Sequence, residues 1–489
     1  MKNTPFYLTT TLPYINAPLH MGHALEFIRA DSVARYKKLL GCDVYFNTGT
    51  DEHGVKIFEK AKEEGMLVQD FIDKNFSIFK EQIKIFGLCD GINFIRTTDQ
   101  KHIKLAQSFW KRVQDNGYIY KKNYSAKYCV GCESEKTDSD VEDGKCKDHP
   151  NMDLKIIEEE NYFFKYSAFG EKLLAFYEKN SNFVVPDFRF NEIKNFVSAG
   201  LQDFSISRLK EKMPWGISVP GDDTQVMYVW FDALTNYVST LADEGIESLE
   251  DLEKSEKFNK YWKDGTPTQY CGKDNTRFQS AMWQAMLMAA GLPNSHQIIV
   301  NGFITGEGGI RMSKSLGNSF DPRDVVEVYG IDALRFFMLK EISSFEDSPF
   351  TMERFKDVYN SGLANGLGNL TSRIMTMATN YGVRLSEEDL KMKYYTQEIP
   401  ELEFFDINKF INKIWLVLRG LDEYIQKNEP FKKIKVDEEG AKKDVYYLLF
   451  HLYGNALALE PLLPETSLKI QELIRENKKP EAPLFLRKE

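Results

Sequence analysis

Apolar residues at the start of the chain first gather in a β-prone run and then recur at helical spacing. Phe6 to Thr11 reads as a strand, and Pro13 to Pro18 is rich in turn residues. From Gly22 to Leu40 the apolar positions Ala24, Phe27, Ile28, Val33, Ala34, Leu39 and Leu40 fall on a helix, with Gly41 as its C-terminal cap. Asp43 to Thr48 resumes as a strand, which predicts the crossover unit of a doubly wound, Rossmann-like parallel sheet. Around Tyr118 the pattern breaks into Lys/Asp/Glu-rich text, as expected of an inserted subdomain. Strand–helix alternation is expected again at Val226 to Trp230 and at Gln297 to Val300. Beyond about Met352 only helical periodicity remains, as in Phe410 to Leu421 and Asp444 to Leu459, which predicts an α-helical bundle. The most apolar stretch, Ala281 to Leu292, contains Gln284 and is far shorter than the ~20 residues that cross a bilayer. It reads as a buried helix.

Composition narrows this picture. At 489 residues the chain is too long for one compact core, so two or three units are expected. Apolar content of 42% and charged content of 28% are those of a soluble globular protein with no membrane partner. The N-terminus lacks a secretory pattern, so a cytoplasmic location is expected. Six cysteines make no disulfide framework in a chain of this size. The net charge of -10 speaks against a protein that coats nucleic acid nonspecifically, yet leaves room for a local basic surface.

Two loops carry candidate chemistry. His20-Met21-Gly22-His23 lies where the first strand feeds the first helix, the ligand-binding edge of such a sheet. A helix N-terminus offers free N–H groups to phosphate, Gly22 allows close backbone approach, and His20 and His23 can both donate hydrogen bonds. Taken alone, the four letters are equally two surface histidines near a helix start. The second loop, Arg311-Met312-Ser313-Lys314-Ser315, is flanked by Gly306, Gly308, Gly309 and Gly317; Lys314 is a flexible point charge suited to the β- and γ-phosphates of a nucleotide. Together the segments resemble the "HIGH" and "KMSKS" motifs of class I aminoacyl-tRNA synthetases. The resemblance implies that His20, His23 and Lys314 are catalytic and that His20, Gly22, His23, Arg311 and Lys314 bind ATP with Mg²⁺. Arg311 stands where the motif has its first lysine.

Cys129, Cys132, Cys146 and His149 form a C-x2-C pair, thirteen intervening residues, and a C-x2-H pair. Two such knuckles complete a closed tetrahedral shell, which predicts one structural Zn²⁺. Cys42, Cys89 and Cys271 show no partner spacing and are expected to be ordinary thiols.

The cysteine cluster's position resembles the connective-peptide insertion of methionyl-tRNA synthetases in its single-knuckle form. Thr11 to Tyr14, Gly49 to Gly54 (GTDEHG) and Tyr228 to Ala233 (YVWFDA) resemble segments of the same family. That likeness assigns Leu12, Tyr14, Trp230, Ala233, Tyr237 and Gln279 to methionine binding, with Asp51 taking the substrate ammonium. An apolar, aromatic pocket suits a thioether. Cys-Gly-Lys-Asp (271–274) resembles the family's ribose-holding segment, through Gly272 and Asp274. The family usually has histidine after Arg-Phe, where this chain has Gln279, which hydrogen-bonds but carries no charge. Asn369 and Arg373, one helical turn apart, resemble anticodon-binding residues. Phe431 stands where the family has tryptophan. The resemblance implies activation of L-methionine with ATP, then transfer to the terminal adenosine of tRNA(Met), initiator tRNA included. Expected units are residues 1–116 and 222–298 for the two halves of the catalytic fold, 117–221 for the insertion, 299–351 for a stem-contact region, and 352–489 for the anticodon-binding bundle. A monomer is the expected state. Rival readings are a class I synthetase for another apolar amino acid, a catalytically dead tRNA-binding protein, and a zinc-dependent hydrolase.

Overall fold

The computed structural model describes residues 3–132, 134–136, 140–310, 312 and 320–489. A six-stranded parallel sheet lies at its centre, built from β1 (Pro5–Thr9), β2 (Asp43–Thr50), β3 (Asn93–Arg96), β4 (Val184–Val185), β5 (Thr268–Gly272) and β6 (Gln297–Asn301). The spatial order is β4-β6-β5-β1-β2-β3, with every neighbouring pair parallel. From β1 the chain moves outward through β2 and β3, and it later returns to the other side of β1 as β5. The crevice above the carboxyl ends of β1 and β5 is therefore the switch point where such sheets bind ligands.

The first crossover helix, α1 (Met21–Leu39), runs where the apolar spacing placed it and ends at Leu40 and Gly41. The alternation expected over Val226 to Trp230 divides instead. Asp222–Met227 belongs to a three-stranded antiparallel sheet with Ser207–Leu209 and Ser218–Val219, and Val229–Leu234 is helical. The strand that rejoins the central sheet is β5. It is buried on both faces, so its sequence shows no alternation.

Between β3 and β4 two long antiparallel strands, Ile119–Cys129 and Lys155–Phe164, carry a small three-stranded sheet (Val141–Glu142, Lys145–Cys146, His149–Asp153). After β6 the chain becomes helical. Met352–Val358 continues through a wider, π-wound segment, Tyr359–Gly368, into Asn369–Tyr381; Ile407–Asn428, Glu438–Leu459 and Pro464–Glu476 complete the bundle. No described helix is long and apolar enough to cross a membrane.

One contiguous core joins sheet and bundle, with Phe27 of α1, Phe336, Ile374, Leu418 and Leu449 among its members. Charged groups brace the same junction. Asp31 of α1 pairs with buried Arg335 at 2.8 Å, and Arg335 also donates to the carbonyl of Leu462. Arg29 donates to the carbonyls of Ile342, Ser343 and Ser344 and to the Asn301 side chain. Removing one partner from such a buried pair typically costs about 3–5 kcal/mol. The helix that begins at His20 is thus held rigidly along its length.

Candidate active site and metal centre

His20 caps α1. Its Nδ1 accepts from the Gly22 backbone N–H at 3.1 Å, and the Nδ1 of His23 accepts from the His20 N–H at 3.3 Å. The two rings stack with centroids 3.9 Å apart. Because both Nδ1 atoms accept, both imidazoles carry their hydrogen on Nε2, the assignment that the network dictates. Burial, reinforced by neighbouring His20, holds the His23 pKa well below its usual range, so this ring is neutral at pH 7. The result is a stacked pair of Nε2–H donors at a helix N-terminus, a geometry suited to phosphate oxygens. A Cβ at Gly22 would come within 3.0 Å of the His20 ring, so glycine keeps the cap closed.

Opposite, at the end of β5, the Asp274 side chain folds over Gly272, where an added Cβ would meet its carboxylate at 2.7 Å. Lys273 pairs with Asp347 at 2.6 Å, and Asp347 also accepts from the Phe303 N–H at 2.9 Å. Glu26, one turn beyond His23, accepts from the Thr11 N–H at 2.6 Å. Burial raises its pKa to about 7, with the Thr11 hydrogen bond opposing and Asp274 adding to the rise. Glu26 escaped the sequence reading; an acid three residues after His23 on the same helix was the available signal.

The residues expected around methionine converge. Leu12 and Ala233 are buried, and Tyr14 and Asp51 face one another across a parallel backbone bridge, with the Asp51 N–H donating to Pro13 O at 3.0 Å. Trp230 stacks flat on Phe278 at 4.0 Å. Trp230, Ala233 and Tyr237 recur on one side of the helical run that starts at Val229. Gln279, buried, donates to the Tyr237 hydroxyl at 2.7 Å and to Thr11 Oγ1 at 3.3 Å. Beneath them lies a relay absent from the sequence reading: His53 Nδ1 to Asp232 at 2.6 Å, Asp232 to His102 Nε2 at 2.8 Å, and His102 Nδ1 to Ser239 at 2.8 Å. Burial would raise Asp232, but the two histidines hold its pKa below the usual carboxylate range. Partners so far apart in sequence left no local signal.

Arg311 and Lys314 lie outside the described residues. The approach to them is built from Ile304–Thr305, paired with Ser348–Pro349, and a turn at Glu307–Gly309 in which Gly308 and Gly309 adopt positive φ.

The ligand atoms of Cys129, Cys132, Cys146 and His149 all lie within 4.8 Å of one another. Cys132 Sγ is 3.6 Å from Cys146 Sγ and 3.2 Å from His149 Nδ1, and Cys129 Sγ is 3.8 Å from His149 Nδ1. A tetrahedral zinc with Zn–S about 2.3 Å and Zn–N about 2.0–2.1 Å has edges of about 3.5–3.8 Å, so the donor set fits one zinc ion. A Cβ at Gly131 would lie 2.6 Å from the His149 ring, which explains the glycine between the first two ligands. Among the described residues no other His/Cys/Asp/Glu group of this kind is found, and all six cysteines are unbridged.

In the bundle, Asn369 is exposed, Arg373 is half-buried and paired with Asp422 of helix Ile407–Asn428, and Phe431 follows that helix with 45% of its surface exposed. Among the described residues no hydrogen bond links these three to one another.

Comparison with known proteins agrees with this geometry. The family described as tRNA synthetases class I (M) matches residues 6–153 and 149–375. The methionine–tRNA ligase of Caldanaerobacter subterraneus subsp. tengcongensis is 38% identical over 486 residues, covering 96% of this chain and 74% of that protein. That of Rhizobium meliloti is 36% identical, covering 97% and 92%. The solved structure of Mycobacterium tuberculosis methionyl-tRNA synthetase in complex with methionyl-adenylate superposes with a TM-score of 0.87 at 33% identity, covering 97% of this chain and 94% of that one.

Proposed function

The chain belongs to the class I methionyl-tRNA synthetases, whose reaction, the ligation of methionine to tRNA, is its function, and on that premise we propose how its residues divide the work. Methionine, ATP and tRNA(Met) are its substrates. Leu12, Tyr14, Trp230, Ala233, Tyr237 and Gln279 surround the methionine side chain, and Asp51 takes the ammonium. Gly272 and Asp274 hold the ribose, with Glu26 facing it from α1. The triphosphate, with Mg²⁺, lies over Gly22 against His20, His23, Arg311 and Lys314. The methionine carboxylate attacks the α-phosphorus in line; the bond to the bridging oxygen breaks and pyrophosphate leaves, its developing charge met by the two Nε2–H donors and Lys314. The 2′-hydroxyl of the terminal adenosine then attacks the acyl carbon of the adenylate and AMP departs.

The observation that carries this reading is the locked tautomer pair at the switch point, which aims two neutral donors at one place. The mycobacterial relative that shares this fold was solved in complex with methionyl-adenylate, which supports the adenylate-forming step. Cys129, Cys132, Cys146 and His149 hold zinc as a structural ion, with no coordination position left for chemistry. Asn369, Arg373 and Phe431 form the anticodon surface, for elongator and initiator tRNA(Met) alike. The units divide near residues 117, 222, 299 and 352, and the enzyme works as a cytoplasmic monomer.

ATP–pyrophosphate exchange across the twenty amino acids tests the assignment. Exchange driven by methionine is expected; exchange driven by leucine or valine overturns it. Zinc analysis of Cys146→Ala is expected to show loss of the ion, and full retention removes Cys146 from the ligand set.

A further inference from the structure

The two ends of the methionine site stand on different supports. Asp51 follows β2 of the central sheet, whereas Trp230 and Ala233 ride on the helical run that begins at Val229, just beyond the antiparallel strand Asp222–Met227. The loop after β2 is fastened to the central sheet through Glu52. Its buried carboxylate accepts from Thr50 Oγ1 at 2.6 Å and from Arg96 Nε at 2.8 Å, and its N–H donates to Thr97 Oγ1 at 2.9 Å. The next residue, His53, reaches the other way. Its Nδ1 lies 2.6 Å from Oδ2 of Asp232, which sits between Trp230 and Ala233 on the helical run.

Asp232 is 1% exposed, and each of its oxygens already has a ring nitrogen: Oδ2 that of His53, and Oδ1 the Nε2 of His102 at 2.8 Å. A carboxylate only accepts, so both nitrogens that face it carry hydrogen. His102, on helix Gln100–Asp115, is fixed from behind. Its Nδ1 is 2.8 Å from Ser239 Oγ, whose alternative acceptor, the Asn236 carbonyl, is 3.5 Å away. Side chains from three separate elements thus meet at one buried carboxylate. Apolar side chains of the same volume could fill this space without loss of stability. What they would not supply is direction: the carboxylate sets where His53, and with it the Asp51 loop, stands relative to Trp230 and Ala233.

We propose that Asp232 is a positioning residue for methionine: through His53 it holds the loop carrying Asp51 at a set span from the helix carrying Trp230 and Ala233, so that both ends of the amino acid are met at once. The proposal rests on the pocket reading given above. A ligand held at two ends gains from a fixed span, since neither end has to be reorganised when the other binds.

The measurement is KM for methionine and for ATP, together with kcat, in ATP–pyrophosphate exchange by the full chain. Asp232→Asn keeps the shape but leaves one acceptor oxygen in place of two. In it KM for methionine is expected to rise about tenfold to a hundredfold, the size of a hydrogen bond to a buried charge, with KM for ATP unchanged. His53→Ala is expected to do the same, and repeats the test should the central change unfold the protein. His53→Asn, whose amide nitrogen can stand where Nδ1 stands, is expected to restore most of that loss. Asp51→Asn is expected to raise KM for methionine by itself. Asp232→Asn added to it is expected to bring no further rise, because a span matters only while both ends hold. Equal rises in KM for methionine and for ATP, a His53→Asn variant no better than His53→Ala, or rises that multiply in the double variant overturn the proposal. An unchanged KM for methionine in Asp51→Asn overturns the pocket reading itself.

Discussion

The carboxyl edge of the sheet and the surface of the helical bundle handle polar groups in opposite ways. At the sheet edge nearly every functional side chain is held by another. His20 and His23 cap each other's backbone, Asp274 folds on Gly272, and Gln279 is tied to Tyr237 and Thr11. On the bundle, Asn369 is exposed, Phe431 projects with 45% of its surface in solvent, and Arg373 is engaged by Asp422. The difference matches the two tasks proposed for these residues. Stabilising charge on leaving pyrophosphate requires donors that need not reorganise, whereas capturing a large, mobile nucleic acid tolerates side chains that move as it arrives.

The largest effect separates the two regions outright. His20→Ala or His23→Ala removes one fixed donor, and exchange is expected to fall about 10²–10³-fold, the loss typical of a single preorganised donor. Phe431→Ala is expected to leave exchange untouched and to raise KM for tRNA by an amount worth about 1–3 kcal/mol, as for loss of one stacked base. Pyrophosphate exchange without tRNA and aminoacylation with it read the two arms separately. A histidine variant impaired only when tRNA is present would dissolve the distinction.

A second, smaller effect probes what the packed edge costs in stability. The Glu26 carboxyl titrates near about 7 in the folded chain, chiefly through burial, against an ordinary value of 4.5. The folded state therefore holds its proton more tightly than the unfolded chain does. The penalty is absent below pH 4.5, grows as pH rises toward 7, and is complete above it. Glu26→Gln keeps an acceptor for the Thr11 N–H without the charge. It is expected to melt as a protein about 1–3 kcal/mol more stable at pH 8, with the gain fading by pH 4–5. A gain of equal size at pH 5 and pH 8 would assign it to packing and not to charge.

The same contrast explains what was legible in the sequence. The His20–His23 loop and the cysteine cluster declared themselves because each places its requirements within a few consecutive residues: a cap, a glycine, a pair spacing. The bundle helices were legible because one face of each is buried. β5 was not, since burial on both faces erases alternation, and β4 was not, being two residues long. Tyr228 to Trp230 read as a continuing strand because Val, Tyr and Trp suit a pleated surface, yet packing turned the chain helical at Val229. The His53–Asp232–His102 relay stayed hidden for another reason: its members meet only once strands and helices from distant parts of the chain are assembled.

The finest test of the comparison lies at Arg373. The guanidinium is held by Asp422, and both side chains are more than a third exposed, at 35% and 38%. A pair so exposed is worth about 0.2–1 kcal/mol and is screened further by salt. If the bundle surface keeps its cation parked until tRNA arrives, part of the binding free energy goes into breaking that pair. Asp422→Asn should then release Arg373 while leaving a polar neighbour, lowering KM for tRNA(Met) by a factor of about two to five at low ionic strength, with exchange unchanged and the gain lost in high salt. An increase in KM would mean the reverse: that Asp422 aims Arg373 at the nucleic acid, and that the bundle, like the sheet edge, prearranges its contacts.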